Sequence, residues 1–384
     1  MPHRGPRRGL RQVVLAALVV AMVLVVLVAV SLVGAWRTPG NEDFSAKWAD
    51  WLRSHHASFM VNPIEQWYYT EKAPSKGGRP KSLNAIPAAR SVHPNTTISH
   101  VPPHLPAPAA IPLLVKPALP GEGAWRPTGP LVDGAPHLFV AQFRADATYT
   151  SQITSAVWMD PTAFSLQLVP GAREPGGTWA QPPNLGGALA ARAVAAFNGG
   201  FRFQDARGGF YLDGRMAVPL QAGAASVVIY QNGSVNVGVW GRDVTMTPQV
   251  TAVLQNLVLL VDNGQLSPSA SYADTKLWGH TLGANTVVAR SGVGITRTGA
   301  LVYVAGPALT SLSLAESLQR AGAVRAMTLD INPEWVTFNL FEHPNPADLT
   351  VMTGSKLYPT MQRSSRRYLA PTAESRDFFA ILTH

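Results

Sequence analysis

The run Ala195-Ala196-Phe197-Asn198-Gly199-Gly200-Phe201 ends an apolar, strand-like stretch in an amide and two glycines. Adjacent glycines free the backbone to take positive φ and let a ligand approach main-chain N–H groups. The Asn198 amide adds a donor and an acceptor beside them. Such a nest suits an anion or a sugar phosphate; a plain turn between strands uses the same residues. Few carboxylates qualify as chemical groups. Asp213-Gly214, Asp262-Asn263-Gly264 and Asp160-Pro161 sit in turn contexts, where Asp is common for backbone reasons. Glu316 closes a capping box with Ser313. Asp330 differs, because it ends the apolar strand Ala326-Met327-Thr328-Leu329 with no turn signal of its own. A charge at the mouth of a strand is a usual place for function, although a buried Asp held by backbone N–H groups reads the same way. Arg290 lies in another apolar strand and needs an anionic partner, either a substrate phosphate or Asp330. Glu334 is the nearest partner carboxylate, but Pro333 rules out a shared helix face. His280, after Trp278-Gly279, is a candidate proton donor.

The order of these segments carries a resemblance. Asn198-Gly199-Gly200-Phe201, Leu257 to Gly264, Ala289-Arg290-Ser291-Gly292-Val293-Gly294-Ile295-Thr296 and Ala326 to Asp330 follow one another as in the phosphodiester glycosidase family. The chain resembles that family over roughly Arg192 to Trp335. The resemblance implies a mixed α/β domain and cleavage of a sugar phosphodiester. Where the family continues with glycines and a Ser, this chain reads Asp330-Ile331-Asn332-Pro333-Glu334-Trp335. The acid is kept and the glycine cradle is not, which implies a different substrate. Glycoside cleavage needs an acid for the leaving group and a base or nucleophile opposite. A phosphate leaving group departs as an anion and relaxes the first demand, so cationic and N–H groups matter more. The expected site is therefore Asp330 as catalytic carboxylate with Glu334 in support. Asn198, Gly199 and Gly200 contact phosphate or sugar, Arg290 neutralises charge, and Asn332 replaces the lost cradle. No cofactor and no metal are expected, and no basic stripe interleaved with aromatics points to nucleic acid. The rival reading is an inert module that binds an envelope glycan or phosphopolymer.

The elements that carry this site follow a membrane segment. Val13 to Ala35 is 23 residues without a charge, enough to cross a hydrocarbon core of about 30 Å at about 1.5 Å per residue. A cleaved signal peptide has a shorter apolar region, about 7–15 residues, so a retained anchor is the expectation, with Val33-Gly34-Ala35 as the competing cleavage signal. Arg4, Arg7, Arg8 and Arg11 precede the span and no acid does, which keeps this end cytoplasmic and sends the rest outside, a single-pass cell-membrane topology. The net charge of +9 then falls to +5 for the exported part, a mild excess suited to an anionic cell envelope. There is no Cys, so thiol chemistry and disulfides are excluded. The ten His show no pair with ligand spacing near a third ligand.

Residues 36–72 are expected to be a juxtamembrane helical segment, with Phe44, Trp48, Trp51, Leu52 and Phe59 near one face of a helix from Asn41 to Phe59. Residues 73–124 are proline-rich and read as an extended spacer, so a chain beginning near Trp125 should fold alone. The domain spans 125–384 and its class is α+β. Strand signals run over His137 to Arg144, Ser165 to Val169, Arg192 to Phe197, and the hairpin Ser226 to Val239 across Asn232-Gly233. They continue over Leu257 to Val261, the hairpin Thr286 to Val304 across Thr298-Gly299, and Val324 to Leu329. One helix begins at Ser313 and stops at Gly322.

Overall fold

The structure, a computed structural model, describes residues 7–57, 59–63, 71, 73–90, 104–271, 277–279, 286–345 and 347–384. Helix α1 (Arg7–Arg37) contains Gln12–Arg37, which is long and, with a mean hydropathy of 3.5, apolar enough to cross a membrane. Helix α2 (Phe44–Ser54) folds back on it: Trp48 Nε1 donates to Ser31 Oγ at 3.0 Å and Lys47 Nζ to the Thr38 carbonyl at 3.0 Å.

The rest is strand-rich and mixed α/β, as the sequence implies. The strands are β1 Arg126–Pro127, β2 Leu138–Phe143, β3 Thr154–Met159, β4 Phe164–Val169, β5 Ala193–Asn198 and β6 Phe210–Leu212. They continue with β7 Arg215–Val218, β8 Ala225–Tyr230, β9 Val235–Val239, β10 Val250–Gln255, β11 Leu259–Asp262 and β12 Gln265–Leu266. Last come β13 Val288–Thr296, β14 Leu301–Leu309, β15 Ala323–Thr328, β16 Phe338–Glu342, β17 Thr353–Lys356 and β18 Phe378–Thr383. Two further helices are α3 (Phe203–Ala206) and α4 (Ser311–Arg320). Three sheets result, in the orders β1-β2-β3-β14-β13-β15-β11-β12, β7-β6-β10-β8-β9 and β17-β16-β5-β18-β4. The named strands pair antiparallel, which the hairpin turns Asn232-Gly233 and Thr298-Gly299 impose locally.

One apolar core joins the sheets. Phe197 of β5 packs its ring 5.0 Å from Tyr303 of β14, 5.7 Å from Phe338 of β16 and 5.2 Å from Phe379 of β18. Helix α4 covers the opposite face of the largest sheet with Leu314 and Leu318. Its cap lies three residues earlier than the Ser313–Glu316 box implies. Thr310 accepts from the Ser313 N–H and Ser313 Oγ accepts from the Thr310 N–H, so Ser313 already stands inside the first turn. Strand β11 starts at Leu259 because Leu257 takes a φ of 51°, outside extended geometry.

The proline-rich segment departs from expectation in its packing. Residues 104–124 form no helix or strand, bend at 114–117 and turn at 120–123, and they lie on the domain. Ile111 is 2% exposed, and Trp125 Nε1 donates to the Ala109 carbonyl at 2.8 Å. Glu122 enters a buried ion pair with Arg144 at 2.8 Å, and Arg144 also donates to the Val115 and Pro117 carbonyls. Prolines have no N–H to satisfy, so such a segment covers apolar surface while leaving few backbone donors unpaired. A protein beginning at Trp125 would strip Arg144 of every one of these partners, and an uncompensated buried charge costs about 3–5 kcal/mol. It is expected to aggregate, or to unfold at clearly lower urea than one beginning at His104. Equal midpoints for the two would contradict this packing.

Candidate active site

Asn198 closes β5 where the third sheet meets the largest one. Its Nδ2 donates to the Gly199 carbonyl at 2.8 Å and to Ser291 Oγ at 3.0 Å. Its Oδ1 accepts from the Thr337 N–H at 3.2 Å and the Tyr303 hydroxyl at 3.1 Å. The amide is thus fully engaged by protein and acts as a joint between elements. Ser291 of β13 extends this joint to Asp330, just past β15. The Ser291 N–H donates to the Asp330 carbonyl at 2.8 Å, and the Asp330 N–H donates to Ser291 Oγ at 3.2 Å. Asp330 is thereby fixed at a strand end, as expected.

Its carboxylate is buried and tightly held. Oδ1 accepts from the Ile331 and Asn332 N–H groups at 2.7 and 2.8 Å, and Oδ2 pairs with Arg376 Nη2 at 3.0 Å. Burial pushes this carboxyl up, against the pull of Arg376 and the two N–H groups. Arg376 also donates to the Gly200 carbonyl and stacks its guanidinium 4.5 Å from the Trp335 ring centre. The two glycines are needed for close approach and not for positive φ. A Cβ on Gly199 would stand 2.0 Å from Asp377 Oδ2, and one on Gly200 would press on the Asn256 side chain at 3.2 Å.

Three expected residues face elsewhere. Neighbours on a strand point to opposite faces, so with Ser291 directed at Asp330, Arg290 turns away. It donates to the carbonyls of Leu309, Trp278 and Thr286, and burial pushes its guanidinium down to about 10. The cation beside Asp330 is Arg376 instead. Glu334 turns to Arg363, 3.8 Å away. Asn332 Oδ1 accepts from the Glu334 N–H at 2.9 Å, a local turn rather than a cradle for substrate. His280 lies outside the described residues.

Sequence reasoning missed Ser291, Arg376 and Asp377. The signal present was the charge pair Arg376-Asp377 directly ahead of the apolar run Phe378 to Leu382. Asp377 is buried with Oδ2 unpartnered, and burial pushes its carboxyl up to about 7. A second cluster was also missed. The sequence shows no histidine ligand set by spacing, yet the fold brings His104 and His137 to Asp160.

These segments share a family signature. Residues 191–330 match the phosphodiester glycosidase family. The match takes in Asn198, Ser291 and Asp330 and ends on Asp330, so the divergent stretch Ile331 to Trp335 lies just beyond it. The family points to hydrolase chemistry on a sugar-phosphate substrate. Among solved structures, the zebrafish N-acetylglucosamine-1-phosphodiester alpha-N-acetylglucosaminidase catalytic domain, auto-inhibited by pro-peptide, is 16% identical with a TM-score of 0.40, covering 66% of this chain and 85% of that one. A hypothetical protein from Synechocystis is 12% identical with a TM-score of 0.38, covering 71% and 68%. A putative exported protein from Burkholderia pseudomallei K96243 is 12% identical with a TM-score of 0.35, covering 62% and 75%. No curated protein matches the chain.

Asp377 sets a pH dependence. Its folded pKa of about 7 stands above an unfolded value of about 3.9. The folded state then holds the extra proton between those values, so its contribution is complete below about pH 4 and is lost as pH rises through about 7. Asp377→Asn is expected to flatten the fall in stability across that window and to raise stability at pH 8. Urea unfolding at pH 5, 6, 7 and 8 checks it; an unchanged slope would count against a proton held on Asp377.

Proposed function

We propose that the protein is a membrane-anchored, extracytoplasmic hydrolase that cleaves a sugar-phosphate diester or related glycoside of the cell envelope. The observation that carries this reading is Asp330, held at a strand end by the Ser291–Asn198 joint, paired with Arg376 and inside the family match. Asp330 is the catalytic carboxylate. Arg376 balances charge at the leaving phosphate. Asp377, whose carboxyl is pushed up to about 7 by burial so that about half of it holds a proton at neutral pH, is the group to give a proton. A face rich in arginine fits an anionic substrate. Arg363, Arg367 and Arg376 gather around Trp335, with Arg376 also on Asp330, and Arg173 and Arg202 meet nearby at Asp50.

Part of that face is covered by the segment next to the membrane. Asp50 of α2 pairs with Arg202 and lies 3.7 Å from Arg173, Glu42 accepts from Ser375 Oγ, and Asn41 accepts from Arg363. Asp50 stands in for an anionic substrate on Arg173 and Arg202, and the Asn41 amide oxygen occupies Arg363, so the segment must lift for turnover.

One observation favours a second reading. Trp335 is buried among three guanidinium groups where the family keeps its glycines, which supports an inert module binding an envelope glycan or phosphopolymer.

Purified full-length protein should hydrolyse a fluorogenic sugar-1-phosphate diester. Asp330→Asn should lower kcat by at least about a thousandfold with little change in substrate binding, because a catalytic carboxylate acts mostly in the transition state. Hydrolysis that Asp330→Asn leaves unchanged would refute the assignment. Saturable binding without hydrolysis in the wild type would favour the second reading. Glu42→Gln combined with Asp50→Asn should raise kcat/KM several-fold, read in the same assay; equal rates would show that the segment does not compete with substrate.

A further inference from the structure

We infer that His104, His137 and Asp160 form a binding site for a divalent metal ion of the zinc type, away from the Asp330 site and independent of the function proposed above. The three residues come from distant places. His104 lies in the proline-rich segment, His137 immediately precedes β2, and Asp160 immediately follows β3. Their ligating atoms lie within 4.8 Å of one another. His104 Nδ1 is 3.6 Å from Asp160 Oδ2, and His137 Nδ1 is 3.4 Å from the same oxygen. These spacings are long for hydrogen bonds to a carboxylate, which close to about 2.7–2.9 Å. They match the edges of a tetrahedron around a central ion. Ligands at about 2.0–2.1 Å from zinc stand about 3.4 Å apart.

The surroundings agree with this. Asp160 is fully buried, and its orientation is fixed by the Leu105 N–H on Oδ2 and by Thr162 N–H and Oγ on Oδ1, each at 2.8 Å. The other ring nitrogen of His104, Nε2, meets Asp133 Oδ2 at 3.3 Å. A carboxylate on the far side of a histidine fixes its tautomer, and metal binding at Nδ1 would replace the hydrogen bond that Nδ1 makes with Thr162 Oγ1 at 2.9 Å. His137 is only 6% exposed, and its Nε2 has no partner, so this ring is buried with part of its hydrogen-bonding capacity unmet. The two imidazole rings lie 4.0 Å apart, a spacing that two protonated rings would resist and two neutral ligands accept. Two imidazoles and a carboxylate suit zinc by donor type. Three protein ligands leave a fourth position for water. The ion would act as a clasp, fastening the start of the packed proline-rich segment to the ends of β2 and β3. A chain with no cysteine has no disulfide for that purpose.

The test uses tag-free full-length protein in detergent, stripped with a chelator and then titrated with Zn(II) alone. One equivalent is expected to bind with sub-micromolar affinity and to raise Tm by several degrees. Co(II) in its place should give the intense visible bands of a four-coordinate site. His104→Ala or His137→Ala should weaken Zn(II) binding by at least about a hundredfold, and Asp133→Asn by about tenfold. His384→Ala should change nothing. Wild-type protein that binds neither ion at micromolar concentration overturns the inference, as does full-strength binding by His104→Ala. If the histidine variants fail to fold, wild-type stoichiometry and the Co(II) spectrum decide, and weak octahedral-type bands would overturn a site of this kind.

Discussion

The molecule depends on one joint, the amide of Asn198 set between two sheets. A buried amide left unpaired is costly, and this one satisfies its hydrogens and oxygen on its neighbour Gly199 and on three separate pieces of chain, at Ser291, Tyr303 and Thr337. Ser291 passes the constraint to Asp330. The relative position of the sheets and the position of the carboxylate are therefore one problem, solved by one network. Networks of this kind in a low-dielectric interior are strong when complete and damaging when broken. The aromatic stack around Phe197 lies directly behind and holds the joint from the apolar side.

Electrostatics around Asp330 follow from the same placement. A carboxylate so deeply buried is stable as an anion only with donors on both oxygens, and Ile331, Asn332 and Arg376 supply them. Arg376 in turn lies flat on Trp335, where aromatic stacking gives a planar guanidinium contacts that a lysine ammonium lacks. Arg363, Arg367 and Arg376 around Trp335 are a local concentration of positive charge.

Much of the fold was legible because its strands are short, apolar and separated by strong turn signals. Asn232-Gly233 and Thr298-Gly299 fixed two hairpins, and the residues around Asn198 and Asp330 marked two strand ends that do meet. The rest was hidden for identifiable reasons. Arg290 and Ser291 are adjacent, and only the pleat decides which one faces the site. Arg376 and Asp377 lie 46 and 47 positions after Asp330, a distance that local patterns do not bridge. His104 and His137 have no motif spacing between them, and only the folding of the proline-rich segment onto the domain brings them together. That segment's composition was silent about its neighbours, since a proline-rich backbone without N–H groups to satisfy can lie on a surface or stand free.

Strand β18 sits between β5 and β4, in the interior of its sheet, although its residues follow every other strand in the chain. Arg376 and Asp377 stand at its leading end. During synthesis, β5 and β4 emerge long before the strand that must separate them, so their sheet stays open until the last strand slots in. The carboxylate of Asp330 gains its counter-ion at the same moment. The ion pair of Asp330 with Arg376 is therefore a late event of folding, reached only when the last strand of the fold is in place.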